Sequence, residues 1–267
     1  MRLSFKQRDG ETALDDLYQS GSGKIKMARA EPGRSKEAVI INTTGGLTDG
    51  DEFTSSIHWR NQTKAIVTTQ AAERIYKSRL DNAEIHSHLR VDSGACAMWL
   101  PQETILFDGG RLNRSNKVDV SEGGQLIAVE SCVFGRAAMG ETIENGYFSD
   151  SWQVRVDEKL VLVDRFQLED NIQAQLDRPA IANCARALAT IIHVAIDAEA
   201  SCDKIREIIM DNQAIGGSSS LGPLTITRLF GKNAYELKTT TIQVLELLMS
   251  RTNPGHIGSL LPRVWRL

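Results

Sequence analysis

Three apolar stretches recur along this chain at offsets of about 30 residues: Ala65-Ile-Val-Thr-Thr-Gln70, Ala97-Met-Trp-Leu-Pro-Gln102 and Leu126-Ile-Ala-Val-Glu-Ser131. A spacing of that size marks stacked units, none of which can bury its apolar face without its neighbours. A turn-rich link precedes each one: Asn61-Gln62-Thr63, Asp92-Ser93-Gly94 and Glu122-Gly123-Gly124, all residue types that tolerate tight reversal. The repeat lies within Asn42 to Gly140 and predicts a mainly β fold: a stacked β-sheet, β-helix-like body with two C-terminal α-helices. The chain, 1–267, reads as a single β-rich domain, the stack covering 1–180 and further strands plus the two helices packing on it over 181–267. In a stack, side chains at equivalent places lie above one another. Gln70, Gln102 and Ser131, with neighbouring Glu73, Glu103 and Glu130, are therefore expected to form a polar, acidic line.

Local patterns place the remaining elements. Leu3 and Phe5 alternate with polar residues ahead of Asp9-Gly10, which predicts an opening hairpin. Trp152, Val154 and Val156 alternate likewise, and after a turn at Glu158-Lys159 the run Leu160, Leu162, Phe166, Leu168 completes a second hairpin with one wet face. Ile181 to Ile196, rich in Ala and β-branched residues, suits either a strand or a helix, the strand being favoured, and holds His193 as a core histidine. Asp197 is the expected N-cap of the first helix, whose Ala198, Cys202, Ile205 and Ile209 form one apolar stripe. A flexible loop over Gly216 to Ser220 and a short strand near Leu224 to Phe230 lead to a second helix, capped by Asn233 and reaching Ser250. Its Val244 to Met249 turns are apolar nearly all round, suited to a core or to another protein. After Pro254-Gly255 the tail Leu261-Pro-Arg-Val-Trp265 is expected to be exposed.

Charge and composition exclude several classes. With 31 Lys and Arg against 34 Asp and Glu, net charge −3, and no basic stripe, neither nucleic acid nor an anionic membrane is an expected partner. The N-terminus has no signal-peptide pattern and no apolar run is long enough to span a bilayer, so the cytoplasm is the expected location. Cys96, Cys132, Cys184 and Cys202 show no C-x-x-C pairing, so neither disulfides nor a structural zinc site is expected. Gly45, Gly46 and Gly50 beside Asp49 and Asp51 would suit an anion nest, a cation loop or a tight corner; without P-loop or EF-hand spacing, the corner is favoured. His86 and His88 share one face of a strand, but no third ligand is fixed by spacing, so a polar face is the plainer reading than a metal site. No G-x-S-x-G elbow occurs. Paired carboxylates on a β-solenoid would also suit a carbohydrate-active enzyme, the alternative reading.

Five segments point further: Asn42-Thr-Thr-Gly-Gly-Leu-Thr-Asp-Gly-Asp51, Thr68-Thr-Gln-Ala-Ala-Glu-Arg-Ile-Tyr76, Trp99-Leu-Pro-Gln-Glu-Thr-Ile-Leu-Phe-Asp108, Val133-Phe-Gly-Arg-Ala-Ala-Met-Gly-Glu141 and Pro262-Arg-Val-Trp265. In this order they resemble the urease accessory protein UreD family, also called UreH. Asp49 departs from that pattern, standing where the family more often has a small residue. The resemblance implies a β-rich, helical-stack-like body with a pair of helices. It also implies a non-enzymatic maturation factor that binds apo-urease and, with a UreF-like accessory protein and a UreG-like GTPase, delivers nickel. No tightly bound cofactor is expected, only nickel in transit. On this reading Asp51, Glu73, Glu103 and Glu130, with Gln70 and Gln102, line the nickel passage, and Leu247, Leu248, Arg263 and Trp265 dock a partner.

Overall fold

The structure is a computed structural model that describes residues 1–29, 33–136, 139–253 and 258–266. The chain opens with an antiparallel pair, β1 (Arg2–Arg8) and β2 (Glu11–Tyr18), closed by Asp9 and Gly10, both at positive φ. This is the two-residue turn an Asp-Gly pair favours, because its twist matches that of the strands it joins. Strands β3 (Gly23–Met27) and β4 (Lys36–Asn42) follow as a second antiparallel pair.

The stack then begins. Its first coil is β5 (Glu52–Trp59), β6 (Lys64–Thr69) and β7 (Glu73–Ile75); its second is β8 (Ala83–Val91), β9 (Cys96–Leu100) and β10 (Thr104–Leu106); β11 (Arg111–Val120) and β12 (Gln125–Phe134) make the third. Equivalent strands pair in parallel from coil to coil: β5 with β8 and β8 with β11 on one side, β6 with β9 and β9 with β12 on the other, and β7 with β10 and β10 with the end of β12 on a short third face. The turns stack as well. Gln62, Gly94 and Gly123 occupy matching left-handed positions, and the Cys96 and Gln125 amides donate to the Thr63 and Ala95 carbonyls of the preceding coil at 2.8 Å each. Hydrogen bonds along the stack thus satisfy the turn backbone, as buried backbone requires.

β13 (Tyr147–Val156) and β14 (Lys159–Glu169) form the second hairpin, and a helix α1 (Ile172–Asp177) leads to β15 (Ala187–Val194). After them come α2 (Glu199–Asp211), β16 (Ile215–Leu221), β17 (Leu224–Gly231) and α3 (Ala234–Thr252). One sheet runs β14-β13-β11-β8-β5-β1-β2; the main path of the other runs β16-β17-β15-β12-β9-β6-β4-β3. The fold is therefore mainly β with solenoid-like stacking, as expected.

Several local expectations are corrected. The second hairpin turns at Asp157-Glu158, both at positive φ, one residue earlier than expected, since Lys159 already pairs with Val156. The strand expected from Ile181 starts at Ala187. Ahead of it lies α1, capped by the Asn171 side chain and holding Ile172 and Leu176 in the core. Asp197 does not cap α2: Ala198 takes the N-cap position without a side-chain bond, and Asp197 pairs with Arg251. Gly216 to Ser220 is not a loop but the body of β16, where Ser218 and Thr227 hydroxyls meet at 2.8 Å and the Gly216 backbone approaches Arg228 too closely for any side chain. Asn233 does cap α3, accepting from the Glu236 amide at 2.9 Å. The tail is enclosed rather than exposed: Trp265 is 3% exposed and its indole donates to the Leu100 carbonyl at 2.9 Å. Pro254 and Gly255 lie outside the described residues.

Apolar side chains collect in three places. Two clusters lie between the sheets, one built on Trp59, Trp99 and Trp152 near the turn end, the other on Ile75, Leu106, Phe134 and Phe148 near the third face. The third joins the outer face of β6, β9, β12 and β15 to α2, α3 and Trp265. Among the described residues, no helix is long and apolar enough to cross a membrane.

Candidate functional site: a polar layer inside the stack

The two inter-sheet clusters are separated by polar groups. On β12 the inward residues run Ala128, Glu130, Cys132; on β11 they run Leu112, Arg114, Asn116, Val118; on β13 they run Phe148, Asp150, Trp152. Ser87 and Ser55 continue the layer in register with Asn116 on β8 and β5, and both are buried. Facing them, Thr104 of β10 lies in register with Glu73 of β7.

Arg114 is the centre. Its Nη1 lies 2.7 Å from Glu130 Oε2, its Nε 2.9 Å from Asp150 Oδ1, and Nη1 also donates to Thr104 Oγ1 at 3.1 Å. Trp99 donates its indole N–H to Glu130 Oε1 at 2.8 Å and Asn116 donates its amide to Asp150 Oδ1 at 3.2 Å. Arg114, Asp150 and Glu130 are 2%, 3% and 5% exposed. Burial, reinforced by the nearby Asp150 charge, pushes the Glu130 carboxyl up, while Arg114 and the Trp99 indole pull it down. Burial also opposes the Arg114 charge, but Asp150 and Glu130 more than offset it and keep the guanidinium protonated. The Cys132 thiol is pushed up to about 12, first by burial, so it offers no thiolate at neutral pH.

The expected acidic line is only partly assembled. Glu73 does enter the interior; both its oxygens lie 3.1 Å from the Asn42 amide nitrogen, and burial pushes its carboxyl up. Glu73 and Glu130 thus face the same inter-sheet space. Glu103, one residue before inward-facing Thr104, lies on the opposite face, where it lines a cleft of about 200 Å³ with Ser131, Lys238 and Trp265. Its carbonyl accepts from the Glu73 amide at 3.0 Å. Asp51 sits at the exposed glycine corner and accepts from the Thr48 amide at 2.9 Å, while Asp49 accepts from Asp81 and Leu80 at 2.7 and 3.1 Å. Those amides hold the Asp49 carboxyl below its usual range. Gln70 is exposed; Gln102 is buried, and its Nε2 has no hydrogen-bond partner among the described residues.

The other candidates fall outside this layer. His86 Nδ1 meets Ser115 Oγ at 2.7 Å on the outer sheet face, and among the described residues no three His, Cys, Asp or Glu side chains are grouped to hold a metal. Of the docking candidates, Leu248 is fully enclosed and Trp265 nearly so, so neither presents its side chain to a partner; Leu247 is half-buried and Arg263 exposed. Their apolar surface completes the cluster beneath α2 and α3. Arg114, Asp150, Asn116, Ser55 and Ser87 were not foreseen. The sequence does carry a signal for them: a polar residue at the apolar phase of successive strands.

The enclosed acids do not form a reaction centre open to a substrate. A glycosidase needs two carboxylates flanking a bond in a groove; here both are buried and share one guanidinium. The two acids therefore do not support the carbohydrate-active reading. Comparison agrees: the family profile described as UreD urease accessory protein matches residues 1–266. Urease accessory protein UreD of Rhizobium etli is 37% identical over 265 residues, covering 99% of this chain and 93% of the relative. That of Brucella suis is 37% identical over 270 residues, with 99% and 92% covered. The chain is thus a urease accessory protein, with a role in urease maturation rather than catalysis of its own. Within that class it belongs to the UreD family.

Proposed function

We propose that this protein binds apo-urease in the cytoplasm and, with UreF-like and UreG-like partners, conducts nickel toward the urease active site through the inter-sheet polar layer. The observation that carries the reading is the seam of polar groups crossing an otherwise apolar interior, from Asn42 and Glu73 past Thr104 to Arg114, Glu130, Asp150 and Asn116. An ion leaving water for a protein interior loses hydration worth far more than any single contact returns. Carboxylate, amide and hydroxyl oxygens spaced along the way offset that loss without the tight grip of thiolate or imidazole sets, which suits transit rather than storage. Glu130 and Glu73 would supply charged oxygens, Thr104, Ser87, Ser55 and Asn116 neutral ones. Gln102 joins them only if its free amide turns inward; Asp51 and Glu103 would serve as outer steps at the corner and on the helix side.

Affinity-purified urease from cells expressing a urease gene cluster, with and without this chain, tests the assignment. Nickel content is expected to fall to near background on deletion and to return on complementation. Nickel-replete urease in the deletion strain would contradict the function.

A further inference from the structure

A cavity of about 250 Å³ lies where the last turn of α3 meets the start of β12 and the end of β15; its walls are Gln125, His193, Ala195, Asp197, Arg251 and Thr252. His193 follows Ala187, Ala189 and Ile191 on the face of β15 that packs against α2 and α3, away from the inter-sheet layer. The alternation that buries three apolar residues thus buries an imidazole at the fourth place. Two nitrogens on this wall are unclaimed. His193 is 4% exposed and its Nδ1 has no hydrogen-bond partner among the described residues; Arg251, whose Nη2 pairs with Asp197, holds a buried Nε that also has none. Buried polar atoms are nearly always bonded, so two unbonded ones lining one cavity call for a polar guest.

Charge decides which guest. Arg251 brings one positive charge and Asp197 one negative, while the imidazole is uncharged at neutral pH, since burial holds it down at about 4. The final carbonyls of α3 add a partial negative charge on the same side. An anion would leave this half-enclosed space with excess negative charge, and a cation would meet Arg251. A neutral molecule carrying both a carbonyl and an amino group meets neither penalty. Its oxygen accepts from the Arg251 Nε–H, and its N–H groups donate to Asp197 and to the unprotonated imidazole nitrogen. We propose that this cavity binds a small neutral primary amide, held at its carbonyl by Arg251 and at its amino group by His193 and Asp197.

The test uses the full chain and two probes of nearly the same shape but different charge, acetamide and acetate, followed by saturation-transfer NMR at pH 7.5. Wild type is expected to transfer saturation to the acetamide methyl and several-fold less to the acetate methyl at equal concentration. His193→Phe, which fills the cavity, and Arg251→Met, which removes the carbonyl donor, are each expected to lower the acetamide signal several-fold. No transfer to acetamide from wild type would mean a cavity that holds only water and would overturn the proposal. Acetate matching acetamide, or a folded variant matching wild type, would overturn it as well. If neither variant folds, the acetamide-to-acetate ratio in wild type still decides. The cavity stands apart from the inter-sheet layer, so neither result bears on nickel transit.

Discussion

A guanidinium enclosed between two acids is costly to assemble and worse to break. Removing the guanidinium costs about 3–5 kcal/mol, because the two carboxylates stay dry and unmatched. Cys132, two residues from Glu130 on β12, is inert by contrast, its thiol held protonated by burial. His193 gives a cleaner measurement at this scale. It is 4% exposed with Nδ1 unpartnered among the described residues, and burial, aided by the Arg251 charge and opposed by Asp197, holds its imidazole down at about 4. Between the ordinary 6.5 and that value the unfolded chain binds a proton that the folded chain refuses. Stability therefore rises with pH across this window and falls as pH drops through it, by up to roughly 3 kcal/mol. Urea unfolding at pH 7 and pH 4.5 should show wild type losing more stability than His193→Leu; equal losses would show that His193 does not titrate in this way.

Among the elements, legibility followed the strength of the local code. The Asp9-Gly10 hairpin and the Asn233 cap were readable because one turn or cap residue decides each. β16 was not: Ile-Gly-Gly-Ser-Ser-Ser-Leu has loop composition, and it is a strand because β17 offers a full ladder and a backbone approach that only glycine permits. Asp197 looked like a cap, but the ion pair with Arg251 at the end of α3 claimed it. The apolar turns of α3 were open to two readings, and the packing chose the core. This separates two variants. Leu247→Asp, at a half-buried site, should lower Tm by only a few degrees and reveal by co-purification whether this rim meets the proposed UreF-like partner. Trp265→Ala should cost about 3–5 kcal/mol of stability through lost burial and the cavity left behind, whatever happens to binding. Full partner recovery by a folded Leu247→Asp protein would remove this rim from the interface.

Across the whole molecule, the period of the repeat revealed the stack, and the resemblance of five segments revealed the family. What neither showed was which corner residues meet. That depends on register: a shift of one residue turns Glu103 to the helix side while Glu73 and Glu130 face inward. The polar seam was hidden for the same reason, since Arg114, Glu130 and Asp150 come from strands in opposing sheets and meet only when the coil closes. The seam also explains why the interior holds two apolar clusters rather than one.

Nickel content of urease matured with the Glu130→Gln protein is the most direct measurement. Glutamine preserves shape and leaves Arg114 matched one-to-one by Asp150, so the fold and the assembled complex should persist while the proposed passage loses a carboxylate. Metal analysis of the purified urease should then show several-fold less nickel at wild-type levels of co-purified accessory protein. Full nickel loading under those conditions would mean that the ion reaches urease without crossing this interior.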